Sequence, residues 1–375
     1  MPKRTLLIIG NGFDLKCGLK TRYIDYWRYQ RKNHPSFDTF VKYLEDNSFN
    51  SFEGENLDIL ERIIEIEDGV TFLDYYFTLY DWALRRLNKD KAWSNIEDML
   101  LYGFTDSGSI KTFNFKGCYY CYMQTTNAER KDTFFYDSYA HLIISKYLSK
   151  VFDDETIGET NFRKYIISEI NSFSICFSNY INEQVKENST YYELAQTLIS
   201  KITNATLNEC EIVSFNYTEP ICGLNLANIH GIASKRKIVM GVTCGDGSKK
   251  EAAHHSWYYK ATKEYKIASV SASGIKVSAN YEDITDIYVY GLSLGKQDYD
   301  FFDNLFDEFE FLMRIYKAKI HFCFSTYAGK TKDEVVEETT SRVTELINSF
   351  GDHHKSYGLL RSMIQKGHLL FDFIE

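Results

Sequence analysis

Apolar residues run unbroken from Leu6 to Ile9 and stop at Gly10-Asn11-Gly12. A run this short, β-branched at Thr5, Ile8 and Ile9 and closed by a glycine turn, predicts a buried strand. From Tyr23 to Leu101 the period changes. Leu57, Leu60, Ile63 and Ile64 recur at the spacing of one helix face, as do Phe72, Tyr75, Tyr76, Leu79 and Leu84. Segment 103–133 carries Gly103, Gly108 and Gly117 among polar and aromatic residues and reads as a long loop or a small strand pair. Helical periodicity returns over 135–152, 161–187 and 190–204.

Beyond residue 205 the texture becomes strand-like. Glu211 to Phe215, Leu226 to His230, Lys237 to Gly241, Asp286 to Tyr290 and Lys319 to Phe324 are short apolar runs, and Gln297 to Tyr316 is an amphipathic helix between the last two. Strands alternating with helices imply parallel pairing through crossovers. The expected fold is therefore α/β, with a mostly parallel, Rossmann-like sheet and a large helical insertion after the first strand–helix unit. Residues 1–25 plus 205–375 form the α/β domain in this reading, and 26–204 the helical insertion.

Composition changes this picture little. The 375 residues are 44% hydrophobic and 25% charged, ordinary for a globular chain, with 29 Tyr and 27 Phe implying a ring-rich core. A formal charge of −9 argues against nonspecific binding to nucleic acid, which needs clustered Lys and Arg. No apolar stretch is long enough to span a bilayer, and the Leu6 to Ile9 run is too short for a signal core. Eight scattered cysteines in mostly apolar surroundings fit reduced thiols, and so a cytoplasmic protein.

Four segments put small or polar residues directly after an expected strand. Gly10-Asn11-Gly12-Phe13-Asp14 leaves the first one. A glycine turn lets backbone amides approach a phosphate, although the spacing matches neither the dinucleotide fingerprint nor a P-loop and also suits a plain strand-to-helix turn. Asp14 either caps the helix or accepts from a sugar hydroxyl. Asn216, within Ser214-Phe215-Asn216-Tyr217-Thr218, falls at a strand end, where an Asx-turn is the plainer alternative. His230 and Gly231 close Asn228-Ile229-His230-Gly231, and a lone His beside a Gly is commonly structural. Gly291-Leu292-Ser293-Leu294-Gly295-Lys296-Gln297-Asp298 follows the strand ending at Tyr290. In an open parallel sheet such endings meet in one crevice, where ligands bind.

Other constellations carry less. Cys118 and Cys121 have zinc spacing but no second pair, so no metal is expected. His254-His255 and His353-His354 lack ligand partners, Glu61 to Asp68 reads as a solvated helix face, and no Gly-x-Ser-x-Gly elbow occurs.

The opening stretch 6–26, together with Trp93-Ser94-Asn95-Ile96-Glu97, Phe215 to Thr218, Ile229 to Gly231 and Gly291 to Asp298, resembles the AbiH family of phage abortive-infection proteins. That family is in turn distantly similar to sirtuin-like NAD-binding domains. The resemblance implies NAD as substrate, with Gly10, Asn11 and Gly12 facing its diphosphate. Phe13, Thr21, Tyr217, Gly231, Gly291, Ser293 and Asp298 would complete the binding site. Asn216 would stand beside the nicotinamide ribose, and His230 would be the base. Thr218 stands where sirtuin-like enzymes commonly carry Asp, so an acidic partner is missing unless Asp14 replaces it. The lack of paired CxxC motifs argues against peptide deacylation.

The reaction expected from this likeness is cleavage of the nicotinamide–ribose bond, with Asp14 or Glu97 steadying the cation. A nucleotide sensor acting through a partner keeps the fold without the reaction. A nucleic-acid-directed enzyme is disfavoured by charge. The helical block would line the pocket, sense a phage-derived trigger or form a homo-oligomer interface.

Overall fold

The computed structural model describes residues 4–46, 67–86, 159–221, 226–240, 283–295, 298–313 and 318–375, with single positions at 62, 64 and 96. Expectations for 103–133 and 135–152, for Leu57, Leu60, Ile63, Trp93, Glu97, Cys118 and Cys121, and for His254-His255, lie outside the described residues.

The chain opens with β1 (Arg4–Ile9) and a short helix α1 (Asn11–Lys16). Among the described residues five helices follow: α2 (Tyr23–Asn33), α3 (Pro35–Asp46), α4 (Phe72–Arg86), α5 (Glu159–Glu187) and α6 (Tyr191–Thr203). The sheet resumes with β2 (Cys210–Ser214) and β3 (Leu226–Asn228), then a small hairpin, β4 (Gly231–Ile232) and β5 (Lys237–Ile238). After β6 (Ile284–Tyr290) come α7 (Tyr299–Glu308), β7 (Lys319–Phe324), α8 (Lys332–His353), α9 (Leu359–Gln365) and β8 (Leu369–Phe373).

Six strands pair in the order β3-β2-β1-β6-β7-β8, every neighbour parallel. The fold is the α/β class expected, and β1 lies inside the sheet because its side chains are apolar on both faces. Leu6 and Ile8 enter one core with Phe302, Phe306, Leu346 and Phe350, while Leu7 and Ile9 enter the other with Phe13, Tyr191, Leu198 and Ile199. Burial on both sides is what turns a strand into a continuous apolar run. From β1 the chain builds outward through β2 and β3 on one side, and through β6, β7 and β8 on the other. That reversal at the β1–β6 boundary leaves a crevice beyond the carboxyl ends of the strands.

The inserted helices pack mainly through rings. Tyr26 of α2 meets Phe173, Phe177 and Tyr180 of α5 edge-on at 5.3–5.6 Å, and Phe37 and Phe40 of α3 meet Tyr75 of α4 at 5.3 and 4.9 Å. Such edge-to-face pairs add to the burial of large apolar areas. The last of these helices, α6, covers the β1–β2 face of the sheet.

Three expectations need correction. Lys237 to Gly241 does not extend the parallel sheet; Gly231 pairs with Ile238 and Ile232 with Lys237 in an antiparallel hairpin. Only four residues separate these strands, and a parallel return needs a dozen or more. The amphipathic stretch 297–316 forms a shorter helix, α7, which gives way at Glu310 (φ 55°) to a single turn over Phe311–Met313. The C-terminal elements α8, α9 and β8 went unanticipated. Their signal was Thr331-Lys332-Asp333-Glu334, a capping box in which Thr331 N–H donates to the Glu334 carboxylate (2.8 Å) and Glu334 N–H to the Thr331 hydroxyl (3.3 Å).

Four cysteines among the described residues are free thiols, three of them buried. No helix of the described residues is long and apolar enough to cross a membrane.

Candidate functional site

A cleft of about 1220 Å³ lies over the carboxyl ends of β1, β2, β6 and β7. Its wall includes Asn11, Gly12, Asp14, Thr21, Asn216, Tyr217, Thr218, His230, Gly291, Ser293 and Asp298. Residues from four separate strand ends thus share one cavity.

The innermost polar group is Asp14, 1% exposed within α1. Its carboxylate accepts from the Tyr191 hydroxyl at 2.8 Å and from the Thr218 hydroxyl at 2.8 and 3.0 Å. Burial raises its pKa to about 6, against the pull of Thr218, Tyr191 and Asn216 toward the ionised form. Asp14 therefore does not cap its helix, the first alternative read from sequence, since the cap residue is Gly10. It stands instead against Thr218, bringing a carboxylate to the turn that lacks one of its own.

That turn is held from both sides. Asn228 donates through Nδ2 to the carbonyls of Asn216 (2.9 Å) and Thr218 (2.7 Å), and Asn216 N–H donates to the Ser214 hydroxyl at 3.1 Å. The Asn216 side chain is 4% exposed, and its Nδ2 lies enclosed near the Asp14 carboxylate, whose ionised form it favours, without reaching full hydrogen-bond geometry to any partner. A buried amide left short of a full hydrogen bond costs up to about 1–3 kcal/mol, and an acceptor on a ligand would complete its bonding. His230 follows Asn228 by two residues and packs edge-on against Phe215, ring centres 5.3 Å apart.

The glycine turn plays a different part from the one expected. Gly10 N–H donates to the Tyr290 carbonyl (3.0 Å), Gly12 N–H to the Gly291 carbonyl (2.7 Å) and Phe13 N–H to the Gly10 carbonyl (2.8 Å). The Gly10 and Gly12 amides knit the β1 and β6 turns together and so are not free for a diphosphate, while the Phe13 amide closes the β1 turn on itself. A side chain at Gly12 would come within 2.7 Å of the Gly291 Cα, so the glycines serve the close approach of two backbones.

Phe13, fully buried, lies in the core below, edge-on to Tyr290. Gly10 and Gly231 also fall outside the cleft wall, Gly231 opening the β4–β5 hairpin. Thr21 donates to the Asn11 side chain at the rim. Asp298 is 6% exposed at the start of α7, and Ser293 is exposed in the loop before it.

The helical insertion supplies the facing wall. Tyr23 of α2 lies 4.8 Å from Phe177 of α5, Phe177 meets Tyr217 edge-on at 5.8 Å, and the Tyr23 and Tyr217 hydroxyls are 3.3 Å apart. Sequence reasoning missed Tyr191, 177 positions from the carboxylate it contacts. It also missed the bracing role of Asn228, although that residue lies in a motif it singled out. Among the described residues, no three His, Cys, Asp or Glu side chains are grouped to hold a metal ion.

These features define an α/β protein whose ligand-sized cleft, set with polar groups, lies at the switch point of a parallel sheet, roofed by inserted helices. The family model "Bacteriophage abortive infection AbiH" matches residues 6–319, and the chain belongs to that family. No curated protein and no solved structure matches it.

Proposed function

We propose that this AbiH protein serves phage abortive infection by hydrolysing the nicotinamide–ribose bond of NAD in the cytoplasm. The observation that carries this reading is the enclosed Asn216 amide beside the buried Asp14 carboxylate, on one cleft with His230.

As the bond breaks, the electron pair leaves with neutral nicotinamide and positive charge develops on the ribose. Asn216 Nδ2 offers a donor to a ribose hydroxyl, orienting the sugar. Asp14, when ionised, places negative charge near the cation inside a largely water-excluded site. An imidazole suits the remaining task, taking a proton from the water that attacks the ribose carbon, for a rate gain of about 10²–10⁴. The products are ADP-ribose, nicotinamide and a proton. Depleting NAD would arrest the infected cell, in keeping with the family's association.

Nicotinamide release by wild type, Asn216→Ala and His230→Ala, with folding checked by thermal melting, tests this. Loss of release in both variants at unchanged melting temperature is the expected result. Wild type that leaves NAD intact even with nucleotides from infected cells added would overturn it.

One observation favours the alternative of a sensor without catalysis: both Asp14 oxygens already accept hydrogen bonds from the protein. Calorimetry separates the two, because tight NAD binding without nicotinamide release belongs to the sensor.

A further inference from the structure

The Gly10 and Gly12 amides are spent on the β6 turn, so a phosphate-bearing ligand in the cleft needs further donors. Two arginine clusters at the cleft supply them, one on α2 and one on α8. On the α2 side Asp25 is shared by Arg22, through Nε at 2.7 Å and Nη2 at 2.9 Å, and by Arg28, through Nη1 at 3.3 Å. On the α8 side Glu338 is shared by Arg342 Nη2 at 2.5 Å and Lys330 Nζ at 2.7 Å, and the Tyr327 hydroxyl donates to it as well. Arg342 Nη1 also donates to the Ser293 carbonyl at 3.0 Å, which fixes the guanidinium against the loop after β6.

Arg22, Arg28 and Arg342 all line the cleft, with side chains 50%, 64% and 41% exposed. A guanidinium has five N–H donors, and the two protein contacts of Arg342 leave three for an incoming anion. In a chain of net charge −9, three cleft-lining arginines against the two carboxylates of these clusters are a local reversal of sign. It suits a ligand with more than one negative group. The Tyr327 ring, 47% exposed, stands beside the α8 cluster, as a stacking surface for a nucleoside would.

We propose that Arg342, braced by Ser293 and Glu338, together with Arg22 on the α2 wall, forms the diphosphate subsite of this cleft, and that the ligand is a nucleoside diphosphate or a molecule containing one. The inference rests on the cleft being a nucleotide site but not on its catalysing NAD hydrolysis. It also assigns a ligand contact to α8, which lies beyond the region 6–319 matched by the family.

Titration calorimetry with ADP, adenosine and inorganic pyrophosphate tests it on wild type, Arg342→Gln, Arg342→Lys and Arg361→Gln. Arg361 lies on the exposed side of α9, away from the cleft, and serves as the control. Wild type should bind ADP and pyrophosphate, and ADP more tightly than adenosine. Arg342→Gln should weaken ADP by about 10- to 100-fold and leave adenosine unchanged, because a charge-assisted pair is lost. Arg342→Lys should fall between, keeping the charge without the fork. Equal ADP affinity in wild type and a folded Arg342→Gln would overturn the proposal, as would wild type that binds adenosine as tightly as ADP. Arg342-dependent ADP binding without nicotinamide release would sink the hydrolase and keep the subsite. Nicotinamide release with ADP binding indifferent to Arg342 would do the reverse.

Discussion

Asp14 sets the pH behaviour of the site. Its folded-state pKa of about 6 is raised from 3.8 by burial, and Asp74, buried in α4, is raised likewise to about 6. Between those values the folded state binds more protons than the unfolded chain. Stability from each group is therefore fully present below about pH 3.8 and is lost as pH rises through 6. A shift of this size corresponds to about 2–3 kcal/mol per group at pH 7. Asp14→Asn removes one such loss while keeping an acceptor for Tyr191 and Thr218. Its thermal stability relative to wild type should be about one to two degrees better at pH 7 than at pH 5. Activity should run the opposite way in wild type, declining below about pH 6 as Asp14 takes up its proton, and should be low in Asp14→Asn at every pH. A variant with unaltered melting at both pH values would show that Asp14 is not strained by burial. A variant that stays active would remove it from the chemistry.

At the scale of elements, the contact between the β1 and β6 turns is sensitive to a single methyl group. Gly291 has φ 74°, and a Cβ there would lie 2.4 Å from Phe13 N. Gly358, before α9, has the same φ of 74° and nothing within 4 Å. Comparing Gly291→Ala with Gly358→Ala thus separates backbone preference from steric contact. The second should cost about 1 kcal/mol, the left-handed penalty alone. The first should cost about 2 kcal/mol more, because two turns must part. Denaturant melts that give equal losses would mean the turns separate freely. The expected fold class came from periodicity, which is reliable where a strand such as β1 is buried on both faces. The hairpin at Gly231–Ile238 was misassigned because short apolar runs look alike whichever partner they take. The carboxylate at the turn was half legible: Asp14 and Thr218 were both noted, but a contact across 204 positions has no local signal.

For the whole molecule, the question is how far the C-terminal elements are needed to make the cleft. The match to the family ends at residue 319, the first residue of β7. Yet α8 and α9 place Val343, Leu346, Ile347, Phe350, Leu359 and Met363 in the core beneath β6 and β7. Fully burying such side chains contributes about 1.5–3 kcal/mol each. Their sum is comparable with the whole stability of a typical domain, about 5–15 kcal/mol. Removing residues 325–375 would also expose the β7 edge, which now pairs with β8 from Ile320 to Phe324. A chain ending at 324 should therefore aggregate or melt without a cooperative transition, rather than persist as a weaker binder. Refilling only the sheet edge would not rescue it, since the lost side chains come mostly from α8 and α9. Gel filtration and thermal melting decide the matter: a soluble, monomeric 1–324 chain with a sharp transition would show that the matched region folds by itself. Arg342 and Glu338 would then be additions to a finished site instead of one wall of it.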